Sequence, residues 1–117
     1  MQEAEREILL SFWKVHILHH ASEQPIHGQW IILELRRHGY ELSPGTLYPL
    51  LERLRQRGWL ACRSDRQGGK RARKDYRLTA KGSQVLKLIR EQVKELYAEI
   101  VVKAGHTAAE SSQGVRQ

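Results

Sequence analysis

The chain has 117 residues, 40% of them hydrophobic, which is enough for one buried core and too little for two. Its formal net charge of +7 points to a polyanionic partner, either nucleic acid or an acidic membrane surface. The single cysteine, Cys62, excludes an internal disulfide and a thiolate-rich zinc site, and no apolar run approaches the roughly 20 residues that a membrane span needs. Met1 to Arg6 alternate acids with a base where a signal peptide would be apolar, so a cytoplasmic chain is expected.

Residues 5–20 carry Ile8, Leu9, Leu10, Phe12, Trp13, Val15, Ile17 and Leu18, whose spacing predicts a helix that is apolar on more than one face. One side then packs on its own domain, and another is expected to meet a second subunit. Residues 21–25 form a predicted loop ending at Pro25. A second helix is predicted over 26–38, with Trp30, Ile31, Ile32, Leu33 and Leu35 as core candidates and Gly39 at the left-handed position past its end. The connection over 39–42 is short enough to make the second and third helices a helix-turn-helix pair.

The third helix is the most informative. Ser43 is a good N-cap, Pro44 suits the first helical position, and Leu47, Leu50, Leu51 and Leu54 fall at i, i+3, i+4 and i+7, one buried stripe. The helix is expected to reach Gln56 or Arg57 and stop at Gly58, widened near Pro49, which has no N–H for the Gly45 carbonyl. Thr46, Tyr48, Pro49 and Arg53 point away from the stripe. Together with Ser43 they offer hydroxyl, phenol and guanidinium groups suited to base edges and phosphates in a major groove.

Two short strands follow at 59–65 and 74–78, joined across Gly68-Gly69, a hairpin signal. From Arg63 to Arg77 seven bases face two acids, a local net of +5, so Lys70, Arg71, Arg73 and Lys74 are expected to track a sugar-phosphate backbone. Thr79 is the predicted N-cap of a last helix over 80–103. In it Leu86, Ile89, Val93, Leu96 and Ile100 are spaced 3, 4, 3 and 4, a coiled-coil seam for dimerisation. The tail over 104–117, almost without apolar bulk, is expected to be disordered. The predicted architecture is mainly α with a small two-stranded β-hairpin: a winged helix-turn-helix domain over 5–79 and a long C-terminal dimerisation helix over 80–103.

Two further constellations remain. His16, His19 and His20 stand at i, i+3 and i+4 on the first helix, a spacing at which imidazoles can meet a divalent metal. Trp13, with Phe12 beside it, is the candidate for a flat apolar slot that takes an aromatic ligand, while Trp30 and Trp59 read as structural. No cofactor is required, and no phosphate-cradling glycine loop, paired-carboxylate signature or activated nucleophile suggests an enzyme.

The run from His38 to Leu51, His-Gly-Tyr-Glu-Leu-Ser-Pro-Gly-Thr-Leu-Tyr-Pro-Leu-Leu, closely resembles the PadR family of bacterial transcriptional regulators. Leu54, Gly58, Trp59-Leu60 and the later Tyr76-Arg77-Leu78-Thr79-Ala80-Lys81-Gly82 carry the same likeness, which covers roughly residues 8 to 100. The resemblance implies a winged helix-turn-helix dimer, usually a repressor, whose C-terminal helix packs on the partner's first helix. It also implies a third helix in the major groove, a wing on the backbone, and release of DNA by small effectors such as phenolic acids or planar drugs. A single C-terminal helix is similar to the short subgroup. Many relatives have Gly-Tyr at the start of the second helix, where this chain has His27-Gly28-Gln29-Trp30, so no ligand-contacting residue carries over.

The expected function is therefore a homodimeric, DNA-binding transcriptional repressor, acting on a pseudo-palindromic duplex and released by a small effector ligand, with a small aromatic molecule or a divalent metal as the candidates. The alternatives are a metal-responsive regulator using the first-helix histidines, and a winged-helix protein-interaction module that does not bind duplex DNA.

Overall fold

The protein is described by a computed structural model covering residues 2–64 and 74–105. The backbone divides into two units, residues 1–86 and 87–117. Helix α1 runs over Gln2–Glu23, longer at both ends than the apolar pattern predicted, because polar residues extend it. It lays Trp13, Ile17, Leu18 and Ala21 into the core. After Pro25, Ile26–His27 form a strand, β1, where the sequence suggested the opening of a helix. Helix α2 follows over Gly28–Arg37 and buries Ile31, Ile32 and Leu35. Leu33, a core candidate by composition, faces solvent at 61% exposure because it lies off that stripe.

Gly39 and Gly58 end α2 and α3 at φ +89° and +78°, conformations that L side chains rarely adopt. Helix α3 spans Pro44–Gln56, and its stripe Leu47, Leu50, Leu51 and Leu54 is buried as the spacing predicted. The main chain remains helical through Pro49. At Ser43 the capping is by backbone alone: its carbonyl accepts from Thr46 N at 3.0 Å and Leu47 N at 2.9 Å. Its hydroxyl lies 3.4 Å from Thr46 Oγ1 in place of the expected bond to a helix N–H.

Strands β2 (Leu60–Ser64) and β3 (Lys74–Leu78) pair antiparallel, with Leu60 opposite Leu78, Cys62 opposite Tyr76 and Ser64 opposite Lys74. The predicted two-stranded hairpin is in fact part of a three-stranded sheet in the order β1-β3-β2. Ile26 pairs with Tyr76 and His27 with Asp75, which covers the second edge of β3 and buries Ile26 to 1% exposure. Two residues are too few to show an alternation in sequence.

Thr79 caps helix α4 (Ala80–Tyr97) as expected, its Oγ1 accepting from Gly82 N at 2.9 Å and donating to the Gly58 carbonyl at 2.6 Å. Gly82 permits this junction, since a Cβ there would stand 2.1 Å from the Trp59 carbonyl oxygen. Leu86, read from its spacing as the first seam residue, is 2% exposed and belongs to the core of the 1–86 unit.

In the second unit α4 passes into a π-helical segment, Ala98–Lys103, followed by helical residues 104 and 105. A π turn holds one residue more than an α turn. Ile100, the last residue of the expected seam, lies inside that segment and is 58% exposed. The two residues at the start of the expected disordered tail are helical, and 106–117 lie outside the described residues.

Candidate nucleic-acid interface

Helix α3 shows two sharply different sides. The four leucines of its stripe are at most 2% exposed, while Ser43, Pro44, Gly45, Tyr48, Pro49 and Arg53 are exposed and Thr46 is half-buried. Burial of the stripe fixes the rotation of the helix, so the orientation of the outer face is a consequence of the core. Arg53 makes no ion pair among the described residues. Its neighbours differ: Arg55 is held by Glu52 through its Nε at 2.9 Å, and Arg57 lies 5.4 Å from the centroid of the Trp59 ring.

The Glu52 carboxyl is held below its ordinary range, first by the hydrogen bond from Arg55 and also by the charge of Lys74. Lys74 is the exposed first residue of β3, at the base of the wing. Lys70, Arg71 and Arg73, the other predicted wing contacts, lie outside the described residues.

Tyr48 is 42% exposed, and its ring rests against the start of α2. A Cβ on Gly28 would come within 2.4 Å of both its hydroxyl oxygen and a ring carbon, so only glycine leaves this seat open. Gly28 is the residue that reading the sequence missed; the isolated glycine at a helix start was its only signal. Behind this face the Tyr76 phenol, 2% exposed, is pushed up to about 12 by burial, with Cys62 adding to the effect.

The remaining candidates separate. Trp13 is 4% exposed, packs edge-on against Tyr40 at 6.4 Å, and leaves its Nε1 without a hydrogen-bond partner. Phe12 is 49% exposed, so the two do not line one enclosed slot within the chain. His16 and His20 come together with His38 from the end of α2, which spacing alone did not indicate, while His19 groups with His20 and Glu23. The His16 imidazole is held below its usual range by burial first, then by the charges of His38, His20 and His19.

The profile of the transcriptional regulator PadR-like family matches residues 17–88. The chain belongs to the PadR-like family. It is 44% identical over 103 residues to the transcriptional regulator Rv3488 of Mycobacterium tuberculosis, a match covering 88% of this chain and 95% of that protein. Among solved structures, a PadR-like transcription factor from Bacteroides fragilis aligns at 28% identity and a TM-score of 0.71, covering 84% of this chain and 95% of the other. A PadR family regulator from Eggerthella lenta aligns at 29% identity and 0.68, covering 85% and 90%. This PadR-like protein is thus a DNA-binding transcriptional regulator and not an enzyme. Among the described residues no helix is long and apolar enough to cross a membrane.

Proposed function

We propose that this PadR-like regulator is a cytoplasmic homodimeric repressor that reads a pseudo-palindromic operator with α3 in the major groove and its wing on the phosphate backbone. The observation that carries the reading is the outer face of α3, where Arg53 is free of acids among the described residues and the Tyr48 ring lies against the space that Gly28 leaves open. A guanidinium without a partner can bind guanine or phosphate without first giving up an ion pair. The Tyr48 hydroxyl, beside a helix start that has no acid in its first turn, suits a phosphate.

Apolar exposure supports dimerisation. In α1, Ile8 and Phe12 are 57% and 49% exposed; in the second unit Val93, Leu96, Tyr97 and Val101 are each between 47% and 57% exposed. An apolar surface of this kind within either unit is rarely left to water by a monomer. A second copy is its occupant here, because a two-fold pair gives the palindromic spacing that a helix-turn-helix reader needs, with half-site centres about 10 bp apart. A small aromatic effector entering beside Phe12 at that junction would release the DNA.

An electrophoretic shift of the full chain on a duplex from its own upstream region tests the reading, alongside light scattering for the dimer mass. Retarded complexes from a dimeric species are expected. A chain that never binds duplex would instead be a winged-helix module for protein partners.

A further inference from the structure

The surface between α1 and the end of α2 gathers titratable groups that DNA recognition does not use. His16, His20 and His38 each place a ring nitrogen within 4.8 Å of the others. Their ring centroids are 6.1 Å apart for His16–His20, 5.2 Å for His16–His38 and 6.2 Å for His20–His38. Three imidazoles so close are not held by one another. They are held by the packing of α1 on the turn that follows α2.

The decisive group is His20. It is 7% exposed, and neither of its ring nitrogens makes a hydrogen bond. Nδ1 lies 3.4 Å from Glu23 Oε1, and Nε2 lies 3.7 Å from Glu34 Oε2, without hydrogen-bond geometry at either. Buried nitrogens without partners are rare, and each one calls for a ligand or a role. Glu34, 13% exposed, has the second carboxylate function of the cluster: its Oε2 is 3.2 Å from His38 Nε2, and Arg37 Nε donates to its Oε1 at 3.1 Å.

We propose that His16, His20 and His38 bind a divalent transition cation of the zinc class, with Glu34 orienting His38. Tetrahedral coordination at about 2.0 Å brings ligand atoms to about 3.3 Å from one another, so the rings must close by only about 1.5 Å from their present limit. Two of them have the freedom to do so, His16 being half-buried and His38 43% exposed. A fourth position on the exposed side of His38 remains for water, as in three-histidine sites. Glu34 Oε2, 3.2 Å from His38 Nε2, supplies for that ring the carboxylate of the carboxylate–histidine–metal arrangement, which fixes ring orientation and raises basicity when the other nitrogen binds the metal. His19, which helical spacing would include, lies outside the three-histidine group and 3.7 Å from Glu23 Oε2.

The site has a structural consequence. His38 is the C-cap of α2, one residue before the left-handed Gly39 and four before the core residue Leu42 that leads into α3. A bound cation therefore fastens α1 to the turn of the helix-turn-helix. Control of DNA affinity through that turn rests on the proposed operator reading, whereas cation binding stands apart from it.

Isothermal titration of the full chain with Zn²⁺ as the probe, without DNA, decides the matter. One cation per chain is expected. Outer-shell partners alone are worth 10- to 100-fold in metal affinity, so His38→Gln and His16→Gln, which remove ligands, are expected to weaken binding on the order of 100-fold or more. Glu34→Gln is expected to weaken it about tenfold, and His19→Gln to leave it unchanged. Circular dichroism of each variant reports whether it is folded, and His16→Gln stands in if His38→Gln is not. The proposal is overturned if the wild type takes up no Zn²⁺, if folded His38→Gln and His16→Gln bind as tightly as the wild type, or if His19→Gln is as damaging as they are.

Discussion

Gly28→Ala is the perturbation that separates the position of Tyr48 from the stability of the fold. The added methyl would meet the Tyr48 hydroxyl at 2.4 Å, and ordinary contact begins near 3.4 Å, so the end of the ring must retreat by about 1 Å. It has room to do so, since Tyr48 is 42% exposed and the obstructing atoms are the far end of a side chain. The strained rotamer costs about 0.5–1.5 kcal/mol, and alanine returns up to about 1 kcal/mol of helix propensity, so stability should stay within about 1 kcal/mol of wild type. The effect on DNA is larger. A donor moved by about 1 Å leaves the hydrogen-bond range, and losing such a contact costs on the order of 1–3 kcal/mol, or roughly 5- to 150-fold in operator affinity. Fluorescence anisotropy on the operator, with thermal melts run in parallel, measures both quantities. In a Tyr48→Phe background, which already lacks the hydroxyl, Gly28→Ala should add little further loss. A Gly28→Ala variant that binds the operator as wild type does, while Tyr48→Phe is weakened, would show that the Gly28 seat does not position Tyr48 on the DNA.

Gly82→Ala should act on stability instead, because its Cβ would meet the backbone of Trp59 at 2.1 Å and displace the Thr79 cap. A loss of about 2–4 kcal/mol is expected in urea denaturation, and an unchanged midpoint would refute the close approach. Arg71→Ala and Arg73→Ala should weaken binding to operator and random duplex alike and flatten the salt dependence by about one ion each, seen in titrations from 50 to 200 mM salt. Equal affinity at low salt for both variants and wild type would remove the wing contacts. Because the Tyr76 phenol is raised from 10.0 to about 12, the unfolded chain ionises first as pH rises, so this contribution is complete below pH 10 and is lost between pH 10 and 12. The wild type should therefore lose stability over that window more steeply than Tyr76→Phe in denaturant titrations, and parallel profiles would count against a buried neutral phenol.

What the sequence made legible was governed by short-range repetition. The α3 stripe, the Thr79 cap and the glycines at 39 and 58 follow from local spacing and backbone chemistry, and the structure has them where they were expected. The pairing of Ile26 with Tyr76 was not legible, since two residues carry no period and the partner lies some fifty residues away. The Tyr48–Gly28 seat and the addition of His38 to His16 and His20 also depend on tertiary packing between helices. Leu86 has the spacing of a seam residue, but the close approach of α4 at Gly82 turns it into the core. The basic cluster at 70, 71 and 73 stays a reading from composition, outside the described residues.

The central claim is that the outer face of α3 reads sequence. Anisotropy titrations of wild type and Arg53→Ala, on a duplex from the upstream region and on a shuffled duplex of equal length at one salt concentration, test it most directly. Wild type should prefer the upstream duplex by at least about a thousandfold, and Arg53→Ala should give up roughly 5- to 150-fold of that preference while its affinity for the shuffled duplex changes far less. Equal losses on both duplexes, or no preference in the wild type, would contradict it.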